Sequence, residues 1–302
     1  MVETLVVVAR LLHYLAVIAL FGAAVFPIYA FRREAWRPPA AEARIRAMLA
    51  PAAALALVTG LLWLAAVAAQ MSGDIAGAWD PETLWTVIVD TDFGHAWAAR
   101  LILTGGVLGE ILLRRGERLP AILSAVLLGS IALTGHTQAK QGVVGLLHMA
   151  SDAAHLLGAG AWLGGLIPLA ALALTRAADT SQAAALARMV HRFSGMGYAA
   201  VAALLVSGVF NSWLLVGSVE AMLTTPYGQV LTVKIGAFLA MLALAAANRF
   251  WISPRLLRPN GESDEKMFTR LRTHIWTEQA LGGAVLALVA VLGTLPPGAE
   301  AG

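Results

Sequence analysis

The run LLHMASDAAHLLGAGAWLGGLIP, residues 146–168, carries two histidines and an aspartate in an otherwise apolar stretch. His148, Asp152 and His155 are spaced i, i+4 and i+7, so on an α-helix they return to nearly one face. His136 stands just before the run, closing Thr134-Gly135-His136. An ionisable side chain in hydrocarbon is costly and is ordinarily turned inward and functional. Gly158, Gly160, Gly164 and Gly165, with Ala159 and Ala161, make the same segment smooth enough for close helix approach, which predicts a place at the centre of a bundle.

Outward from this segment the chain keeps the same character. Of its 302 residues 59% are hydrophobic and 13% charged, too apolar to solvate the surface of a soluble globule. Eight windows reach the length of about 20 residues that a membrane crossing needs: roughly 4–31, 47–69, 96–113, 119–137, 144–174, 193–217, 228–248 and 275–294. None alternates polar with apolar, so the reading is an all-α polytopic membrane protein and not an outer-membrane barrel. The N-terminal MVETLVVVARLLHYLAV has no basic region before its apolar run, and the first helix is expected to be retained. With no cysteine, disulfides, thiolate metal sites and iron–sulfur clusters are excluded. A net charge of +3 is no signal for nucleic acid. No phosphate-binding loop, HExxH or Gly-x-Ser-x-Gly element is present, so neither ATP-driven pumping nor hydrolysis is supported and a transporter, not an enzyme, is expected.

Basic residues set the orientation. Seventeen of the 21 Lys and Arg fall in 32–46, 114–118, 176–192 and 249–272, which the positive-inside rule assigns to the cytoplasm. Both termini and the loops 70–95, 138–143 and 218–227 then face the periplasm. The 70–95 loop holds Asp74, Asp80, Glu82, Asp90 and Asp92 without a counter-charge. It reads either as an ordinary solvated loop or as a negative mouth that concentrates cations.

The two halves resemble each other. His13 and His155 are each followed nine residues later by glycine (Gly22, Gly164) and then by proline (Pro27, Pro168). Thr59-Gly60 precedes Trp63 as Ser207-Gly208 precedes Trp213, and Thr91-Asp-Phe93-Gly94 with Arg100 matches Thr225-Pro-Tyr227-Gly228 with Lys234. The expected organisation is therefore two parallel four-helix repeats, 1–142 and 143–302, about a pseudo-two-fold along the membrane normal. His13 and His155 then lie at matched depth and are expected to face each other across the axis. Arg10 and Asp152, three residues earlier in each, suggest a buried ion pair between the halves.

The candidate ligands follow. Two intramembrane histidines with a carboxylate suit zinc or copper(II), and Met149 beside His148 extends the choice to copper(I). His13, His155 and Asp152 form the expected deep set, while His95, His136 and His148 lie near the outer surface. On the basic side His274 and Glu278 share a helix face, for which contacts with the helix end and loop arginines are expected.

Taken together, Leu12-His13-Tyr-Leu-Ala16, Thr134-Gly-His136, Asp152-Ala-Ala-His155 with Ala161-Trp-Leu-Gly-Gly-Leu166, and Thr225-Pro-Tyr-Gly228 through Lys234 to Asn248-Arg249 resemble the copper resistance protein D family. The resemblance covers most of the chain. It implies an inner-membrane protein that moves copper from periplasm to cytoplasm, with a periplasmic copper-binding protein of the protein C type as a separate donor chain. It also implies His13, His136 and His155 as the family's histidine positions, with Asp152 beside the last. Two other classes stay open on the residues themselves. Paired histidines on different helices also suit a b-type haem protein, and a copper-binding sensor or docking partner would need no transport.

Overall fold

The structure is a computed structural model that describes residues 1–31, 38–113, 116–134, 142–173, 180–256 and 263–300, and all regular structure among them is helical. The helices are α1 (Val2–Ala30), α2 (Pro39–Ser72), α3 (Pro81–Asp90), α4 (Asp92–Leu113), α5 (Arg118–Gly129), α6 (Gly142–Ala159), α7 (Gly165–Ala173), α8 (Thr180–Val216), α9 (Val219–Thr224), α10 (Pro226–Ala247), α11 (Ser253–Leu256) and α12 (Ser263–Leu292). A π-helical turn, Gly160–Gly164, joins α6 to α7, and a second, Asn248–Ile252, joins α10 to α11.

Seven of the resulting helical spans are long and apolar enough to cross a membrane. The fourth window of the sequence reading is the shorter element Arg118–Leu133. At 16 residues it spans about 26 Å, less than the ~30 Å of hydrocarbon. Its α-helix gives way at Ser130 to a tighter turn, where the Arg100 guanidinium binds the Ser130 carbonyl at 2.8 Å and the Thr134 hydroxyl at 2.7 Å. His136 lies outside the described residues.

Local chemistry fixes the turns that lead into α3, α4 and α10. The Asp80 carboxylate caps α3 by accepting from the Thr83 amide at 2.8 Å, with Pro81 at the first helical position. Thr91 and Thr225 cap α4 and α10, their hydroxyls accepting from the Gly94 and Gly228 amides at 2.9 and 3.1 Å. Asp74 likewise accepts from the Ala76 amide at 3.2 Å. Asp74 and Asp80 of the acidic loop are thus employed as caps.

The sequence expected residues 146–168 at the centre, and the α6–α7 span is indeed the most enclosed of the seven, with α1 next. The two meet at Gly22 and Gly164. A methyl group added at Gly22 would overlap the Gly164 backbone, and one added at Gly164 would overlap the Ile18 carbonyl. Only hydrogen fits at this crossing, so dispersion contacts run backbone to backbone. α1 also packs on α2, α5, α8 and α12, which buries Leu20, Phe26 and Phe31 almost completely. Ile102, Val206 and Val209 are each more than 70% exposed, as side chains facing lipid are.

Candidate metal centre

Each deep histidine is held by a hydroxyl on the next long helix of its own half. His13 is 3% exposed, and its Nδ1 lies 3.2 Å from Thr59 Oγ1 on α2. That hydroxyl donates to the Leu55 carbonyl at 2.7 Å, so its proton is committed and the oxygen accepts from the ring. Nδ1 therefore carries hydrogen, and Nε2 presents a lone pair. His155 on α6 repeats the arrangement. Its Nδ1 lies 2.9 Å from Ser207 Oγ on α8, and that hydroxyl donates to the Ala203 carbonyl. Beside each ring is a glycine, Gly60 or Gly208, where even a Cβ would stay in ordinary contact with the ring, at 3.4 and 3.6 Å.

Such a pairing is what a metal-binding imidazole requires. One nitrogen is pinned and the other is free to coordinate, with ring orientation and tautomer set by the outer partner.

The surroundings of the two stations differ in charge. Near His13, the Trp63 indole is flanked by Arg10 and Arg100, whose guanidinium carbons lie 5.8 and 5.5 Å from the ring centroid. The His13 ring packs against the same indole at 5.4 Å. Four residues after the anchoring hydroxyl, where the first half has Trp63, the second has Asn211. Its amide donates to Asp152 Oδ1 at 3.0 Å and its carbonyl accepts from Ser151 at 2.8 Å. Asp152 thus stands one turn before His155 with an orienting amide, and Lys234 lies within its electrostatic reach. Two guanidiniums stand at the first station, whereas the second combines the Asp152 carboxylate with the Lys234 ammonium, which acts on both Asp152 and His155.

The expected ion pair between Arg10 and Asp152 is not among the described contacts. The Arg10 guanidinium reaches the Ala290 carbonyl of α12 at 3.3 Å and lies over Trp63. Gly293 leaves room for that guanidinium, since a side chain there would collide with it.

The remaining candidates sit apart from this geometry. His148 is 1% exposed within α6, and Met149 is half-buried beside it. His95 is exposed, and its Nε2 donates to the Val89 carbonyl at 2.8 Å. Gln229 makes the corresponding bond to the Leu223 carbonyl at 3.2 Å, so this position serves to close the turn before its helix. Among the described residues no three of His, Cys, Asp or Glu converge closely enough to hold a metal ion. The partners that the sequence reading missed are the hydroxyls of Thr59 and Ser207 and the amide of Asn211. Their signal was present as the Thr-Gly and Ser-Gly pairs, which were read as repeat markers and not as imidazole partners.

Comparison with known proteins gives the family. Residues 1–146 match the family model described as copper resistance protein D-like, N-terminal domain, and residues 187–292 match that of copper resistance protein D. The chain is 30% identical over 312 residues to copper resistance protein D of Pseudomonas syringae pv. tomato, with both chains fully covered. It is 29% identical over 296 residues to the inner membrane protein YebZ of Escherichia coli (strain K12), covering 95% of this chain and 97% of that one. It is also 30% identical over 251 residues to the copper transport protein CutJ of Bacillus subtilis (strain 168), covering 78% of this chain and 44% of the relative. No solved structure gives a significant match. On two family matches and a full-length relationship, the chain belongs to the copper resistance protein D family.

Proposed function

We propose that this protein is a permease that carries copper across the bacterial inner membrane, from periplasm to cytoplasm, and so contributes to copper homeostasis and resistance. The observation that carries the reading is the pair of imidazoles whose Nδ1 atoms are pinned by committed hydroxyls, each leaving Nε2 to coordinate. Copper lodges at His155, with Asp152 as ligand or charge partner, and His13 offers the second nitrogen from the other half. His136, His148 and Met149 act nearer the periplasm as the first acceptors. His95, with Nε2 engaged by Val89, keeps Nδ1 for the same role. A copper-binding protein of the protein C type delivers the ion as a separate chain.

The matched stations, the matched caps at Thr91 and Thr225, and the crossing of Gly22 with Gly164 support two parallel units, 1–142 and 143–302, related by a pseudo-two-fold axis. In that arrangement Arg118–Leu133 counts as the fourth of eight crossings and both termini are periplasmic. Since the chain has no cysteine, single-cysteine labelling of the termini from either side of the membrane tests the topology without background.

The test of function is copper stoichiometry and copper accumulation in proteoliposomes for His13→Ala and His155→Ala. We expect at least a tenfold loss of accumulation for His155→Ala; wild-type values in both variants would sink the deep site. Accessible Nε2 atoms on two helices also suit bis-imidazole haem ligation, and a Soret band in the purified protein would favour that reading. Copper binding without lumenal gain would favour a sensor or docking partner.

A further inference from the structure

Glu278, on α12, is 1% exposed and is the one acidic residue in the buried set among the described residues. The sequence placed it with His274 against arginines at the helix end; the structure turns it inward, toward neutral donors. Asn248 Nδ2 donates to Oε1 at 2.6 Å and Trp162 Nε1 donates to Oε2 at 3.2 Å. Both donors sit in π-helical turns, Trp162 in Gly160–Gly164 and Asn248 in Asn248–Ile252. Such turns are rare and recur at functional sites, because the extra residue re-aims side chains that a regular helix would point elsewhere.

The network continues outward. Asn248 Oδ1 lies 2.8 Å from His274 Nδ1. Since the Asn248 amide nitrogen faces the carboxylate, its oxygen must accept, so His274 Nδ1 carries hydrogen and Nε2 holds a lone pair. His274 lines a surface cavity of about 410 Å³ with Trp251, Arg255, Met267 and Arg270. A buried carboxyl is thereby joined through one amide to an imidazole at a cavity on the arginine-rich end.

An unpaired carboxylate in this setting is expensive. Among the described residues, the charged and titratable groups on the elements packed around it do not supply a counter-charge by contact, and Lys234 of α10 acts on Asp152 and His155. Arg272 donates to the Ala173 carbonyl, and Arg249 engages Tyr198 and His191. Arg255 and Arg270 face the cavity. On α1, Arg10 reaches Ala290, 12 residues further along α12, His13 binds Thr59, and the phenols are Tyr14 and Tyr29.

We propose that Glu278 and His274, bridged by Asn248, form a binding site for one proton that exchanges with solution through this cavity. With one proton bound, the couple is either carboxylic acid with neutral imidazole or carboxylate with imidazolium; both are net neutral. The proton comes from solution to His274 Nε2 or to the carboxyl and returns the same way, with no other bond made or broken. The role of this couple in driving copper movement rests on the transport reading above.

The test is pH-difference infrared spectroscopy of the full chain in nanodiscs. In the wild type we expect a titrating carboxylic C=O band that is lost in Glu278→Gln and whose midpoint moves by about one pH unit or more in His274→Ala, as coupled groups require. A set of titrating bands unchanged in Glu278→Gln, or an unmoved midpoint in His274→Ala, overturns the proposal. Should Glu278→Gln fail to fold, His274→Ala decides alone, since it keeps the carboxyl and both its donors. In proteoliposomes, wild-type copper uptake should respond to an imposed pH gradient, and His274→Ala should lose the response while keeping its copper stoichiometry. Wild-type uptake indifferent to the gradient overturns the coupling. No uptake at all overturns the transport reading, and the infrared midpoints still decide the proton site.

Discussion

Replacing Ser207 by alanine removes one oxygen and probes the proposed second metal station without touching a proposed ligand. In the native structure Ser207 Oγ accepts from His155 Nδ1 at 2.9 Å and passes its own proton to the Ala203 carbonyl. Without it, the ring nitrogen loses its acceptor and the imidazole is free to flip or change tautomer. Loss of an outer partner of this kind costs about 10- to 100-fold in metal affinity, or roughly 1.4–2.7 kcal/mol at 1.36 kcal/mol per decade. The fold should survive, because serine back-bonded to a carbonyl inside a helix contributes little to helix stability. The counterpart Thr59→Val removes the His13 anchor at nearly constant volume. With His13 offering the second nitrogen, this change should lower copper affinity in the same direction. The assay is competitive titration of the purified full chain with a copper chelator. Wild-type affinities in both Ser207→Ala and Thr59→Val would refute the metal role of the two anchored imidazoles.

Three further outcomes follow from particular contacts. Asp152→Asn keeps the size of the side chain but removes the charge that balances a bound cation, so copper accumulation should fall at least tenfold in the proteoliposome assay while the Tm changes little. Gly164→Ala forces a methyl into the Ile18 carbonyl and the facing helix; overpacking of about 1–3 kcal/mol or more should appear as a lower Tm in detergent. Hydrogen bonds from the Thr83 hydroxyl and amide hold the Asp80 carboxyl below the usual carboxylate range. Its cap on α3 is then at full strength above that range and weakens as pH falls through the depressed value. The protection factor of the Thr83 amide, its exchange rate relative to the intrinsic rate at the same pH, should fall on acidification in the wild type and be low at all pH values in Asp80→Ala.

The candidate site residues were legible because membrane chemistry makes ionisable residues conspicuous. His13, His155 and Asp152 stood out by their cost in hydrocarbon, and Gly164 stood out as a small residue suited to close helix approach, which the structure makes against Gly22. The positions of the expected partners were less legible. Arg10 and Asp152 looked like an ion pair by register alone, yet Gly293 leaves room for Arg10 against α12 and the amide of Asn211 engages Asp152. Register gives depth along a helix. Azimuth and reach depend on which neighbour leaves room.

The sequence by itself determined that this chain is a helical membrane protein, which residues are intramembrane and ionisable, and which family it resembles, because hydropathy, charge and short motifs are local properties. Tertiary structure decided which partners those residues meet. Only packing could commit the Thr59 and Ser207 protons to carbonyls and so set two imidazoles to present Nε2. Only the two π-helical turns could aim Trp162 and Asn248 at Glu278, because a single inserted residue changes the direction of a side chain without leaving a mark on hydropathy.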